Sequence, residues 1–291
     1  MKALLTILIM ASSIALATEG ETTKNLSPSI SGGKQGVFSY NQKTNSLTAA
    51  LALENGQRMI LPVQCDPEGG EPSLSDSYSV NLSDGSEALI ITCSYHLDHS
   101  GLGIKGVQYT SFVLTETSSS LERKENLEGL ISGYEGYTEE GTRENFFYNT
   151  KELASQKLKD GEVDSPALIQ RVLLSRLADH DYEAITSYAS DENIRATITR
   201  APISKADVTS YNDIGFALAE AGDFDLALRV LRNVENIVPD RTVLLLNLAD
   251  ALWAKEQQRE AETYYQKYHV KMKRAGKEKL IPTRVTARLK Q

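Results

Sequence analysis

The hydrophobic pattern changes character once along the chain. From Gly36 to Glu116, runs rich in β-branched and aromatic residues ("GVFSYN", "SLTAALAL", "RMILPVQ", "EALIITCSYHL", "VQYTSFVLTE") alternate with "ENGQ", "DPEGGEP", "SDGS" and "HSGLG". Short apolar runs bounded by Gly, Pro, Asn and Asp predict an antiparallel sheet domain, a sandwich or a curved sheet. In "EALIITCSYHL" the apolar residues fall on both parities, so that strand is expected to be central and covered on both faces. Between residues 121 and 164 the pattern weakens and Gly129, Gly133, Gly136 and Gly141 interrupt it. One helix from about Leu121 to Ile131 and one strand near "NFFYNT" are predicted there. From Pro166 onward the period is helical, and Ser165 before Pro166 is a helix start, pairing a side-chain cap with a residue that has no N–H to satisfy. The predicted fold class is α+β in two domains. A β-rich domain covers residues 36–160 and a helical domain residues 165–291, preceded by a polar, flexible leader at 18–35.

The helical part repeats itself. Ile214, Gly215 and Leu218, then Ala227, Leu231 and Val234, with Pro239 after them, stand at the packing positions of a repeat, and 34 residues later Leu248, Ala249 and Leu252, then Ala261, Tyr265 and Tyr268, occupy the places of the first six. Small residues at these places let two antiparallel helices approach, and large ones fill the space between successive pairs. "AGDF" reads as the turn inside one repeat and "VPDRT" as the turn to the next, because Pro239 cannot continue a helix. This stretch resembles the tetratricopeptide repeat family, with repeats at about 208–241 and 242–275. Residues 165–189, with Tyr182, Ala184 and Ile185, resemble a degenerate upstream helix pair, set off by the intervening "SDENIRATITRAPISKAD".

The resemblance implies a binding module whose partner is another protein or a peptide, held on a surface made by the first helix of each repeat. Carried over position by position, that groove contains Thr209, Asn212, Phe216 and Glu220, then Val243, Leu246, Asp250 and Trp253. Phe216 and Trp253 are the expected anchors, since large aromatics dominate binding energy at interfaces. Burial of Trp253, the single tryptophan, against the β domain is the competing reading. Asn212 and Phe216 stand where family members that clamp a terminal carboxylate carry Lys and Asn, which argues against that ligand class. Tyr265 and Tyr268 are expected in the core.

The chain's beginning adds a compartment. "MKALLTILIMASSIALA" joins one positive charge to an apolar run and small residues at Ala15 and Ala17, the pattern of a secretory signal peptide at residues 1–17. Its apolar run is shorter than the roughly 20 residues a bilayer core needs, so no stable membrane insertion is expected after cleavage. The expected location is periplasmic or secreted, and the family resemblance together with this signal pattern implies a Gram-negative bacterial envelope. Cys65 and Cys93, an even pair in an exported chain, predict one disulfide.

Charge and motifs narrow the function further. The net charge of -8 argues against nucleic acid as the partner of the whole chain. Nine basic residues from Lys267 onward (Lys267, Lys271, Lys273, Arg274, Lys277, Lys279, Arg284, Arg288, Lys290) face Glu278 alone, and read as a solvated helix face with a frayed terminus, the alternative being a tail for an acidic partner or an anionic membrane surface. No cofactor is expected. No nucleophile elbow, phosphate-binding glycine loop or H-E-x-x-H helix is present. His96, Asp98 and His99 are weak metal candidates that would converge only if the chain turned at "HLDHSG". The acidic "DPEGGEPSLSDS" lacks the regular carboxylate spacing of a Ca²⁺ loop. The expectation is therefore a non-enzymatic adaptor or scaffold, with an inhibitor or immunity protein directed at an exported enzyme as the alternative.

Overall fold

A computed structural model describes residues 20–117 and 120–290. The expected signal segment lies outside them. The chain divides into two compact units between Phe146 and Phe147, so the fold is α+β with a β unit followed by a helical unit.

The β unit contains β1 (Glu21–Ile30), β2 (Gly33–Asn41), β3 (Ser46–Leu53), β4 (Arg58–Cys65), β5 (Pro72–Asn81), β6 (Glu87–His99), β7 (Ile104–Glu116), β8 (Leu121–Arg123), a single helical turn α1 (Glu125–Glu128), β9 (Gly133–Tyr137) and β10 (Arg143–Glu144). These form a four-stranded sheet in the order β1-β2-β3-β4 and a second in the order β10-β9-β7-β6-β5, with β8 paired to β7. One core takes Phe38, Leu47 and Leu51 from the first sheet and Leu89, Ile91, Tyr95 and Phe112 from the second. The alternate residues Ala88 and Ile90 are also fully buried, so β6 is central and covered on both faces as its pattern predicts. The predicted disulfide is present: Cys65 of β4 and Cys93 of β6 join one sheet to the other, with Cα atoms 6.4 Å apart.

Two regions depart from the sequence reading. Most of the expected leader is β1 and the start of β2, an antiparallel pair in which β1 buries only Leu26 and Ile30 and leaves its remaining described side chains at least partly exposed. The expected helix from Leu121 to Ile131 is instead β8 followed by one turn. Arg123 donates to both oxygens of the buried Glu128, at 3.0 and 2.6 Å, and Glu128 accepts from the Val113 N–H at 3.3 Å, so β7 holds this segment. The expected strand near "NFFYNT" is the two-residue β10, which ends just before it and pairs with β9. There Gly136 pairs opposite Gly106, and Tyr134 lies over them where a Cβ on Gly106 would come within 2.5 Å of the phenol oxygen.

The helical unit contains α2 (Lys151–Asp160), α3 (Pro166–Ala178), α4 (Tyr182–Tyr188), α5 (Asp191–Arg200), α6 (Val208–Glu220), α7 (Phe224–Ile237), α8 (Thr242–Ala254), α9 (Gln258–Arg274) and α10 (Thr283–Arg288). It begins before the predicted boundary: Thr150 caps α2, and Leu153 belongs to the helical core. Ser165 caps α3 by accepting from the Leu168 N–H at 3.2 Å, as its sequence predicts.

Three hairpins, α3/α4, α6/α7 and α8/α9, turn in one way. Each first helix ends with a left-handed residue, His180, Gly222 or Glu256, followed by an N–H that reaches five residues back: Asp181 to Arg176, Asp223 to Leu218, Gln257 to Leu252. This double-bonded ending satisfies carbonyls the helix leaves orphaned. Gly222 and Glu256 are 34 residues apart, whereas His180 precedes Gly222 by 42, the excess holding α5. The layout is tetratricopeptide-like, and the upstream hairpin is part of it. Gly215 permits the close helix contact, since a Cβ there would lie 2.6 Å from Leu231 Cγ. Tyr264, Tyr265 and Tyr268 are all buried.

Glu256 at φ 61° pays a left-handed backbone cost that glycine avoids at Gly222. Glu256→Gly is expected to raise stability by about 0.5–1 kcal/mol, the relief of that strain less the entropy glycine adds to the unfolded chain. Thermal denaturation of the variant beside His180→Gly checks it.

Candidate functional site

The first helices of the three hairpins stand side by side, α3 against α6 and α6 against α8, and a polar ladder ties them. Ser210 donates to Gln170 Oε1 at 2.8 Å, and Gln170 Nε2 donates to Asp213 Oδ2 at 2.5 Å. Asn212 Nδ2 donates to Asp213 Oδ1 at 3.1 Å, and Asn247 Nδ2 donates to Asn212 Oδ1 at 3.3 Å. Buried amides of this kind are stable only when partnered. Here they fix the register of α8 on α6.

The ladder corrects one expected groove residue. Asn212 is fully buried in it and faces no solvent. Thr209 is exposed and accepts from Arg241 at 3.2 Å, while Glu220 is also exposed. Phe216 and Leu246 are half-buried, and Val243 is 51 % exposed. These residues present an apolar strip along α6 and α8 with polar neighbours.

Asp250 and Trp253 of α8 are engaged from within the chain. Arg284 of α10 donates to both Asp250 oxygens, at 3.0 Å from Nε and 2.7 Å from Nη2, and Arg288 donates to Oδ1 at 2.8 Å. The Arg288 guanidinium lies 5.0 Å above the Trp253 ring and 5.6 Å from that of Tyr265, whose hydroxyl donates to Asp250 at 2.6 Å. Trp253 is half-buried against the helical core. The expected frayed basic terminus is thus corrected: Arg284 and Arg288 are ordered partners of α8, while Lys273, Arg274, Lys277 and Lys279 remain exposed. No sequence spacing signals that α10 reaches Asp250.

A second polar centre escaped the sequence reading. Asp164, ahead of α3, accepts from Lys157 of α2 at 2.7 Å on one oxygen, and from the Tyr148 and Tyr188 hydroxyls at 2.7 and 2.5 Å on the other. These groups edge a cavity of about 250 Å³. Burial, then the neighbouring Asp164 charge, raises the Tyr148 hydroxyl far above the ordinary phenol value. Tyr188 is raised further, again mainly by burial and then by charge on Tyr148 and Asp164. Both phenols stay protonated in the folded state while an unfolded tyrosine ionises near 10. Their contribution is therefore fully present below pH ~10 and falls as pH rises above it, by up to about 1.4 kcal/mol per pH unit for each tyrosine. Urea unfolding at pH 9 and pH 11 is expected to show a shallower alkaline loss in Tyr148→Phe/Tyr188→Phe than in the parent.

His96, Asp98 and His99 stay within β6, so His96 and Asp98 share a face and His99 lies on the other. The turn that would bring them together is absent, and among the described residues no group of three or more potential ligands converges. In the acidic stretch, Asp76 belongs to β5 and lies 4.0 Å from Lys24.

No protein-family model and no curated protein matches the chain. Among solved structures, the chain is similar to the Yersinia enterocolitica type III secretion chaperone SycD, crystallised in complex with a peptide of the translocator YopD. The two are 17% identical, the match covers 45% of this chain and 95% of that one, and the TM-score is 0.32.

Proposed function

We propose that this chain is an exported, non-enzymatic adaptor whose helical unit holds a segment of another protein. The observation that carries the reading is the strip formed by Phe216, Leu246 and Val243, apolar side chains left partly open on first helices that a buried ladder holds in fixed register. Apolar side chains on a rigid surface with a polar rim suit a partner segment, because little ordering cost remains to be met on binding. The cross-sheet disulfide supports an oxidising location, periplasmic or secreted. No helix among the described residues is long and apolar enough to cross a membrane.

Phe216→Ala and Leu246→Ala test the strip. Each is expected to weaken capture of the principal partner from an envelope extract about 10-fold or more, as truncation of an interface anchor does. Thermal unfolding should change little for a half-buried side chain. Partner recovery equal to the parent's, or loss of folding in both variants, would refute the surface assignment.

A further inference from the structure

A segment of the chain itself covers Asp250 and Trp253. Residues 281–290 pack on α9 and reach Asp250 of α8 through two arginines. The fit has two parts. Val285 is fully buried in the helical core, with Ile281 and Leu289 packed at its edge. Arg284 and Arg288, one turn apart, converge on a single carboxylate that Tyr265 also donates to, and Arg288 lies over two aromatic rings.

A segment serving only to cover apolar surface would need the aliphatic residues alone. The arginines add a recognition geometry: a planar guanidinium pairs with carboxylate at two oxygens and stacks on an aromatic face, which a lysine cannot do equally. Arg284 is 46 % exposed, so solvent screens its pair with Asp250, whereas Arg288 is 25 % exposed and also stacks on Trp253 and Tyr265, so the two arginines together set the strength of the hold. Within the α10 helix, only Val285 is buried.

We propose that Asp250, Trp253 and Tyr265 form a site for a cationic helical segment of a partner protein, carrying two arginines four residues apart with an aliphatic residue between them. Residues 281–290 of this chain fill that site until the partner displaces them. The inference rests on the reading of the helical unit as a partner-binding surface, and it names the chemistry of the partner. An internal occupant lowers the partner's apparent affinity by the fraction of time the site is open.

The test uses the full chain and a fluorescent peptide of residues 279–290, KLIPTRVTARLK, followed by anisotropy. Arg284→Gln/Arg288→Gln is expected to bind the peptide at least 10-fold tighter than the parent. Adding Asp250→Asn should abolish that gain, and a peptide with both arginines replaced by glutamine should not bind. Hydrogen exchange in residues 281–290 should be faster in the double variant, with unchanged helical circular dichroism. If the double variant loses its fold, Arg288→Gln alone, which keeps Arg284 on Asp250, is expected to give an intermediate gain.

Equal affinity for parent and variant, no binding to a variant whose segment has been released, binding that survives Asp250→Asn, or undiminished protection of residues 281–290 would each overturn the proposal. Phe216→Ala separates this outcome from the broader one. Peptide exchange at Asp250 with partner capture indifferent to Phe216 would leave this site standing and remove the adaptor surface, and the reverse pattern would do the opposite.

Discussion

Replacing Asp164 by alanine is expected to destabilise the helical unit by about 3–5 kcal/mol, the loss seen when one member of a buried ion pair is removed. Lys157 and Asp164 are 8% and 12% exposed, and the carboxylate takes three donors: the ammonium and two phenols. Without it, the ammonium retains the Glu162 carbonyl at 3.2 Å, which offers a dipole where a full negative charge had been. The expected size comes from stranding a charge in a poorly solvated place more than from the strength of the pair itself. Lys157→Met/Asp164→Asn, which removes both charges, keeps the volume and leaves the two phenols an acceptor, is therefore expected to recover most of the loss. Urea unfolding followed by circular dichroism at the helical band measures all three proteins. A loss below about 1 kcal/mol in Asp164→Ala would mean that water reaches the ammonium and that the pair behaves as a surface one.

What the sequence made legible follows from how local each signal is. Central strands declare themselves: Ala88 to Ile91 are buried on both faces, and their unbroken apolar run needs no knowledge of what surrounds them. Polar edge strands do not. β1 and β5 each end a sheet, and "ETTKNLSPSI" reads as a leader while "PSLSDSYSVN" has no apolar run to mark a strand; β4, also an edge, is legible because "RMILPVQ" is apolar enough. The hairpins were readable through a 34-residue recurrence of small and large residues, and the shared turn at His180, Gly222 and Glu256 extends that reading to the upstream pair.

The candidate site was legible only in part. Position within a repeat placed Phe216, Leu246 and Trp253 on the first helices, but it did not tell a surface amide from one buried in a ladder, as Asn212 is. Nor did it pair Asp250 with Arg284 and Arg288, which lie 34 and 38 residues away and come from a helix outside the repeat pattern. The Asp164 centre was hidden for a related reason. Tyr148 and Lys157 precede the predicted domain boundary, and only the tertiary fold brings them to the residue that opens α3.

Removing the Cys65–Cys93 bridge is expected to destabilise the β unit by roughly 3–4 kcal/mol, the restriction that closing a loop of this length places on the unfolded chain. The sequence separation is 28, yet the bridge joins β4, an edge strand of one sheet, to β6, an interior strand of the other. Without it, the two sheets are held by side-chain packing: Phe38, Leu47 and Leu51 on one side, and Leu89, Ile91 and Phe112 on the other. Both half-cystines are buried, so Cys65→Ala/Cys93→Ala keeps most of the volume and isolates the cross-link from the packing. Guanidinium unfolding followed through a probe in the β unit should move to lower denaturant by the expected free energy. The parent under strong reductant should follow the variant, because both then unfold to the same unrestricted chain. Superposition of the oxidised parent's curve on the variant's would show that the sheets are held by packing alone. A loss well beyond about 4 kcal/mol would show that the bridge also positions β4, the edge strand whose alternate residues Leu61 and Val63 complete the core.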